Sequence, residues 1–216
     1  MKLKKGLLFL TLMLLVCFDI RVDNLLKVEA SSATPYTEFR KVTIRKAYDY
    51  RLDNIHTELM NDCSFIHEEN FRHINRHIFS LMVSECDKYD LPYSVFFSVV
   101  DRESGFQFVP NSEGSGAMGY MQLMPKTFSS NARKLGLKSH TPENNIKVGA
   151  YHLYDLFSFW KRKYTDDETA WTWALAQYAV GLGGMQLKDS TGIKYHIPES
   201  TKPGIEKVMR NYNKDL

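Results

Sequence analysis

The chain has little cysteine, little net charge and no long apolar run. Three of its 216 residues are cysteine, which excludes a disulfide-dense scaffold. The charge-free run from Leu7 to Phe18 covers twelve residues, short of the ~20 a membrane-spanning helix needs. Lys plus Arg number 28 against 25 Asp plus Glu, a formal charge of +3, which gives no support for a nucleic-acid partner. No internal repeat or low-complexity block occurs. What is present is a composition 44% apolar and 13% aromatic, which excludes a disordered chain. The length suits one domain, or two small ones, with a real core.

Lys2, Lys4 and Lys5 precede the apolar run, and small residues follow at Ala30, Ser31, Ser32 and Ala33. A basic start, a short apolar run and small residues describe an export signal over residues 1–30. The charged stretch Asp19 to Glu29 leaves the cleavage point open. Leu14-Leu15-Val16-Cys17 loosely resembles a lipoprotein acylation box. A lipidated Cys17 or an uncleaved signal would attach the chain to a membrane through its N-terminus. Cleavage after Ala30 would leave 23 basic residues against 22 acidic ones, so the basic excess belongs to the signal. Cys63 and Cys86 would remain, and in an exported chain they read first as one disulfide, with two buried thiols as the other reading.

Residues 31–79 read as a leader followed by a helical extension. Tyr48, Leu52, Ile55 and Leu59 recur at helical spacing. A second helix is predicted from about Glu69 to Lys88, with Phe71, Ile74, Ile78, Leu81 and Met82 on one stripe. Asp90 and Pro92 open a third, continuing through Phe96, Phe97, Val99, Val100 and Glu103. Residues 105–120 are glycine-rich and aperiodic, a loop or small β-containing region. Further helices start at Pro125, at Thr141-Pro142 and at a capping box Thr165-Asp166-Asp167-Glu168. The first of these ends near Gly136. The second turns Leu153, Leu156 and Trp160 inward. The third puts Trp171, Leu175 and Tyr178 on one face before Gly181 stops it. Pro198 and Pro203 bracket a turn before a final helix over 204–213. The expected fold class is mainly α, with no long strand.

The chemistry concentrates in two segments. In Val99-Val100-Asp101-Arg102-Glu103-Ser104-Gly105-Phe106, a carboxyl group ends an apolar helix. Burial there would disfavour its charged form and raise its pKa toward that of a general acid. Taken alone, the segment also suits a surface salt bridge. The second segment, Gly116-Ala117-Met118-Gly119-Tyr120-Met121-Gln122-Leu123-Met124-Pro125, offers glycines for close backbone approach and an amide for hydrogen bonding.

These segments, followed by Asn145-Ile146 with Gly149, Tyr151 and Leu153, and then by Tyr178 with Gly181, resemble the soluble lytic transglycosylase family in order over about 80–213. The resemblance implies a lysozyme-like helical catalytic domain at 80–216, similar to goose-type lysozyme. It implies Glu103 and Tyr178 as catalytic residues. Ser104, Tyr120, Met121 and Gln122 would line the substrate. The implied substrate is the glycan strand of peptidoglycan, and the implied location is the periplasm or cell envelope. No metal or organic cofactor is implied. Within that resemblance Tyr120 stands for the family's Leu and Ala179 for its Asn, while Ser200 and Gly204 also depart from the pattern.

The implied reaction uses Glu103 alone as acid and then base, closing a 1,6-anhydro ring without water. A hydrolytic muramidase would need a second carboxylate, for which Glu113 is the candidate. The departures also admit a peptidoglycan-binding module that has lost catalysis. Glu69, His73 and His77 at spacings of four would share a helix face, with His67 nearby, and read as a solvated polar face rather than a metal site. Of the aromatic residues Tyr151, Tyr154, Phe157, Trp160, Trp171 and Trp173, which could stack on sugar rings, most occupy helical stripes that pack inward, and Trp173, off the Trp171–Leu175–Tyr178 face, is the better candidate for a cleft or surface contact.

Overall fold

A computed structural model describes residues 35–110, 114–189 and 192–213. The chain forms two compact units, 1–51 and 52–216. Helix α1 covers Pro35–Asp62. In the first unit its residues 41–47 are exposed. In the second, Leu52, Ile55 and Leu59 are buried, following the predicted spacing.

The second unit continues with α2 (Glu68–Arg72), α3 (Arg76–Tyr89), α4 (Tyr93–Ser104), α5 (Pro125–Lys134), α6 (Pro142–Lys161) and α7 (Asp167–Gly184). A short hairpin of β1 (Gln186–Asp189) and β2 (Gly192–Tyr195) follows. A 3₁₀ turn (Glu199–Thr201) then leads into α8 (Lys202–Tyr212). The class is mainly α, as expected. The hairpin pairs antiparallel with Gln186 opposite Tyr195; no sequence signal announced it. The glycine-rich region carries two isolated bridges, Pro110 with Met118 and Met118 with Leu123.

The helix predicted over 69–88 is two helices. Asn75 leaves helical geometry and its side chain accepts from the amides of His77 and Ile78, starting α3 anew. His73, just past the end of α2, and His77, in α3, therefore do not share a helix. His73 meets Glu69 at 2.8 Å, while His77 faces Glu143 at 3.8 Å. The α7 cap is Asp166, which accepts from the Thr169 amide, and not Thr165. Gly181 breaks helical geometry at φ 69°, and one further turn then runs on to Gly184.

Helix α6 forms the centre of the unit, packing against α3, α5 and α7, while α4 packs against α8. Leu153, Leu156 and Trp160 of α6 are buried as predicted. Phe157 stacks on Trp171, and Trp173 stacks on Trp160 and Tyr164, so Trp173 is part of an aromatic group rather than a separate surface contact.

Cys63 and Cys86 are not joined by a disulfide; both are buried and border one cleft. Burial, with Asp87 and Glu85 adding to it, pushes the Cys86 thiol well up. That suppresses the Cys86 thiolate needed for disulfide exchange, and Cys86 packs as a small apolar residue.

Candidate active site

Helix α4 carries the acid. Phe96, Phe97, Val99 and Val100 are buried and fix the helix in the core. Gly105 closes it in the left-handed conformation. Glu103 lies in the last turn, and burial raises its pKa, with the Arg102 guanidinium opposing. Among the described residues no hydrogen-bond donor reaches its carboxyl group. A carboxyl that is desolvated and not bonded to the protein holds its proton to higher pH than a solvated one and can offer it to a ligand.

Asp101, two residues earlier, faces elsewhere, as the helix geometry requires. It is 2% exposed. Its carboxylate accepts from the amides of Ile66 at 2.6 Å and His67 at 2.8 Å, with the His67 ring nitrogen 3.1 Å away. These bonds commit Asp101 to the fold and take it out of contention as a second catalytic carboxylate. Glu113 lies outside the described residues.

The 116–124 loop stands on α6 through one residue. Asn145, fully buried, accepts from the Met121 amide at 2.9 Å and donates to the Met118 carbonyl at 2.9 Å. The sequence resemblance includes Asn145 but does not reveal this brace. Gly119, at φ 86°, passes so close to Asn145 that a Cβ would overlap its amide. Gly149 accepts the Met121 side chain in the same way. Small residues at both positions follow from these approaches.

Met121 is therefore a correction. It was expected to line the cleft, but it is 0% exposed and its side chain fills the core against Gly149. What it brings to the site is main chain. The Tyr178 hydroxyl donates to its carbonyl at 2.5 Å. Burial, and after it the charge of Glu103, pushes the Tyr178 pKa well up. Glu103, Tyr178 and the Met121 carbonyl thus form one cluster. His152, half-buried with its ring 5.5 Å from that of Tyr178, adjoins it. Burial pushes the His152 pKa down to about 4, with Lys134 adding to this and Asp155 opposing. His152 is neutral at physiological pH. Nothing in its sequence position marked it.

Gln122 takes a positive φ of 41°. Its side-chain amide donates to the carbonyls of Val109 at 2.8 Å and Gly119 at 2.9 Å. It therefore holds the loop closed, leaving its oxygen for a ligand. Tyr120 is half-buried beside Phe108, with its pKa raised by burial first and Glu143 second. The Ser104 hydroxyl donates back to the Val100 carbonyl at 3.2 Å. Arg102 occupies the space over Gly204, where a Cβ would overlap the guanidinium. The departure at Gly204 thus has a physical partner in α4.

A sequence model of the family described as transglycosylase SLT domain matches residues 80–196. A solved structure of an inactive mutant of the lytic transglycosylase Slt from Pseudomonas aeruginosa aligns with 62% of this chain and 23% of that one, at 24% identity and a TM-score of 0.47. The chain spans less than a quarter of that protein's length.

Proposed function

Because the chain belongs to the transglycosylase SLT domain family, we propose that it is a peptidoglycan lytic transglycosylase. It cleaves the β-1,4 bond between N-acetylmuramic acid and N-acetylglucosamine. The observation that carries this reading is Glu103, a carboxyl held desolvated at the end of a buried helix, without a protein donor and with Tyr178 close by.

In this mechanism Glu103 gives its proton to the glycosidic oxygen, and the bond to C1 breaks. The substrate's own N-acetyl group stabilises the cation that develops. Glu103, now ionised, takes the proton from the muramoyl O6 hydroxyl as that oxygen bonds to C1. The acid is restored and the product is a 1,6-anhydro sugar. One carboxyl group suffices, whereas hydrolytic glycosidases ordinarily use two. The commitment of Asp101 to backbone amides favours the single-acid route. Ser104, Tyr120 and Gln122 are assigned to the glycan, and Tyr178 to holding the Met121 carbonyl beside the acid.

The enzyme acts in the cell envelope in this reading, exported by residues 1–30. That segment and Cys17 lie outside the described residues. Among the described residues, no helix is long and apolar enough to cross a membrane.

Mass spectrometry of sacculi digested with the purified protein tests the proposal. Anhydromuramoyl ends are expected. Reducing muramic acid ends would replace it with a muramidase, and intact sacculi with bound protein would replace it with a binding module.

A further inference from the structure

Residues 64–72 reach the end of α4 from a part of the chain that precedes the family match. Two aromatic residues anchor this segment. Phe71 is fully buried, and Phe65 and Phe71 both pack on Phe106, just past the helix end. Between these anchors the segment contacts Asp101 of α4 and its cap Gly105. The amides of Ile66 and His67 donate to the Asp101 carboxylate. Asn70 donates its side-chain amide to the Gly105 carbonyl at 2.9 Å. The His67 ring lies over Gly105, where a Cβ would come within 2.8 Å of it.

Residues two apart on a helix point about 200° from one another. Asp101 is therefore gripped on the side of the helix away from Glu103. The body of α4 needs no such grip, since Phe96, Phe97, Val99 and Val100 already bury it. The contacts act on the final turn, which is the turn that carries Glu103.

We propose that residues 66–70 are a positioning clamp, in which Ile66, His67 and Asn70 hold Asp101 and Gly105 so that the last turn of α4 presents Glu103 in its half-buried orientation near Tyr178. The proposal rests on the reading of Glu103 as the reacting acid. Loosening the clamp lets the last turn move and water reach the carboxyl. Both the alignment of the acid and its desolvation are then lost. The charged or polar groups that bear on Glu103 itself, Arg102 and Tyr178, are left in place.

The test uses the full chain with Asp101→Asn, which keeps the size of the side chain but presents an amide group to one of the two backbone donors. Asn70→Ala, which removes a half-buried contact, serves as a second variant should the first fold poorly. Turnover on purified peptidoglycan is measured against pH, and the Glu103 carboxyl is titrated by carbon-13 NMR. A loss of about tenfold in kcat is expected, since misplacement by an ångström can cost more than that. KM should stay within about twofold, because binding groups are untouched. The Glu103 midpoint should fall, moving the alkaline limb of the activity profile to lower pH by the same amount. Wild-type kcat and an unmoved Glu103 midpoint in both folded variants would overturn the clamp. If the wild type releases no anhydro product, the functional proposal fails instead, and the NMR titration still decides the clamp.

Discussion

The Tyr178 hydroxyl hydrogen-bonds to the main-chain carbonyl of Met121, not to the carboxyl of Glu103. The tyrosine thus joins α7 to the glycine-rich loop, and its effect on the acid is one of proximity. Tyr178→Phe leaves that carbonyl without its donor, which costs about 1–3 kcal/mol where the acceptor is buried. The expected outcome is a lower melting temperature together with reduced kcat, with the pH profile unmoved. A large shift of the profile would instead make the hydroxyl a direct partner of Glu103.

Glu103→Gln should abolish lysis while retaining binding to sacculi, measured by turbidity and co-sedimentation. It also carries a stability signature. Burial raises the carboxyl's pKa in the folded protein, so folding takes up a proton, and stability falls as pH rises through the raised value. The variant has no charge to bury. It should match the wild type at acidic pH and exceed it in melting temperature at pH 8, as read by calorimetry. Equal stability at pH 8 would contradict the desolvated carboxyl.

His152 gives the opposite slope. Its folded pKa is depressed to about 4, so the unfolded chain takes the proton first. Stability is therefore full above pH 6.5 and is lost as pH falls toward 4. His152→Gln should flatten that part of the curve of unfolding free energy against pH. A wild-type slope in the variant would assign the acid sensitivity to other groups.

Asn145→Ala removes the brace between α6 and the loop. It strands the buried Met121 amide, at a cost of about 1–3 kcal/mol, while the Met118 carbonyl keeps the Leu123 amide as its donor. Denaturant unfolding should register this loss, and activity should fall with it. A near-neutral effect would mean that the loop holds its shape without α6.

Gly204 and Arg102 should behave as a pair. Gly204→Ala alone drives a methyl group into the guanidinium, which must swing aside at a small cost because Arg102 is exposed. Adding Arg102→Ala should recover part of the loss, a coupling that a double-mutant cycle measures. Additive effects would show that the two side chains do not compete for space.

The sequence disclosed what rests on local signals. Thr141 and Pro142 marked the start of α6, and the spacing of Leu153, Leu156 and Trp160 marked its buried face. Motif order drew attention to Glu103. What stayed hidden depends on partners distant in the chain. Nothing local assigns a partner to Asp101, whose carboxylate is held by the amides of Ile66 and His67, 35 and 34 residues away. Met121 reads as a cleft residue until Gly149 opens a place for it in the core. The break at Asn75 was masked because Phe71 and Ile78 keep a helical spacing across it, although the chain caps a new helix between them. The four-residue strands of the hairpin are too short for alternation to register.

The end of α4 also sets the sign of the field at the acid. A helix gathers partial negative charge at its C-terminus, from carbonyls that lack intrahelical partners. Glu103 stands in that last turn, before Gly105. An ionised carboxylate there meets repulsion worth about 0.3–1 kcal/mol, on top of what burial imposes. Proteins that need a carboxylate anion favour the other end of a helix. This chain puts its carboxyl at the end that favours the neutral acid. The polarity of the backbone, and not a neighbouring anion, then helps Glu103 to meet its substrate still carrying a proton.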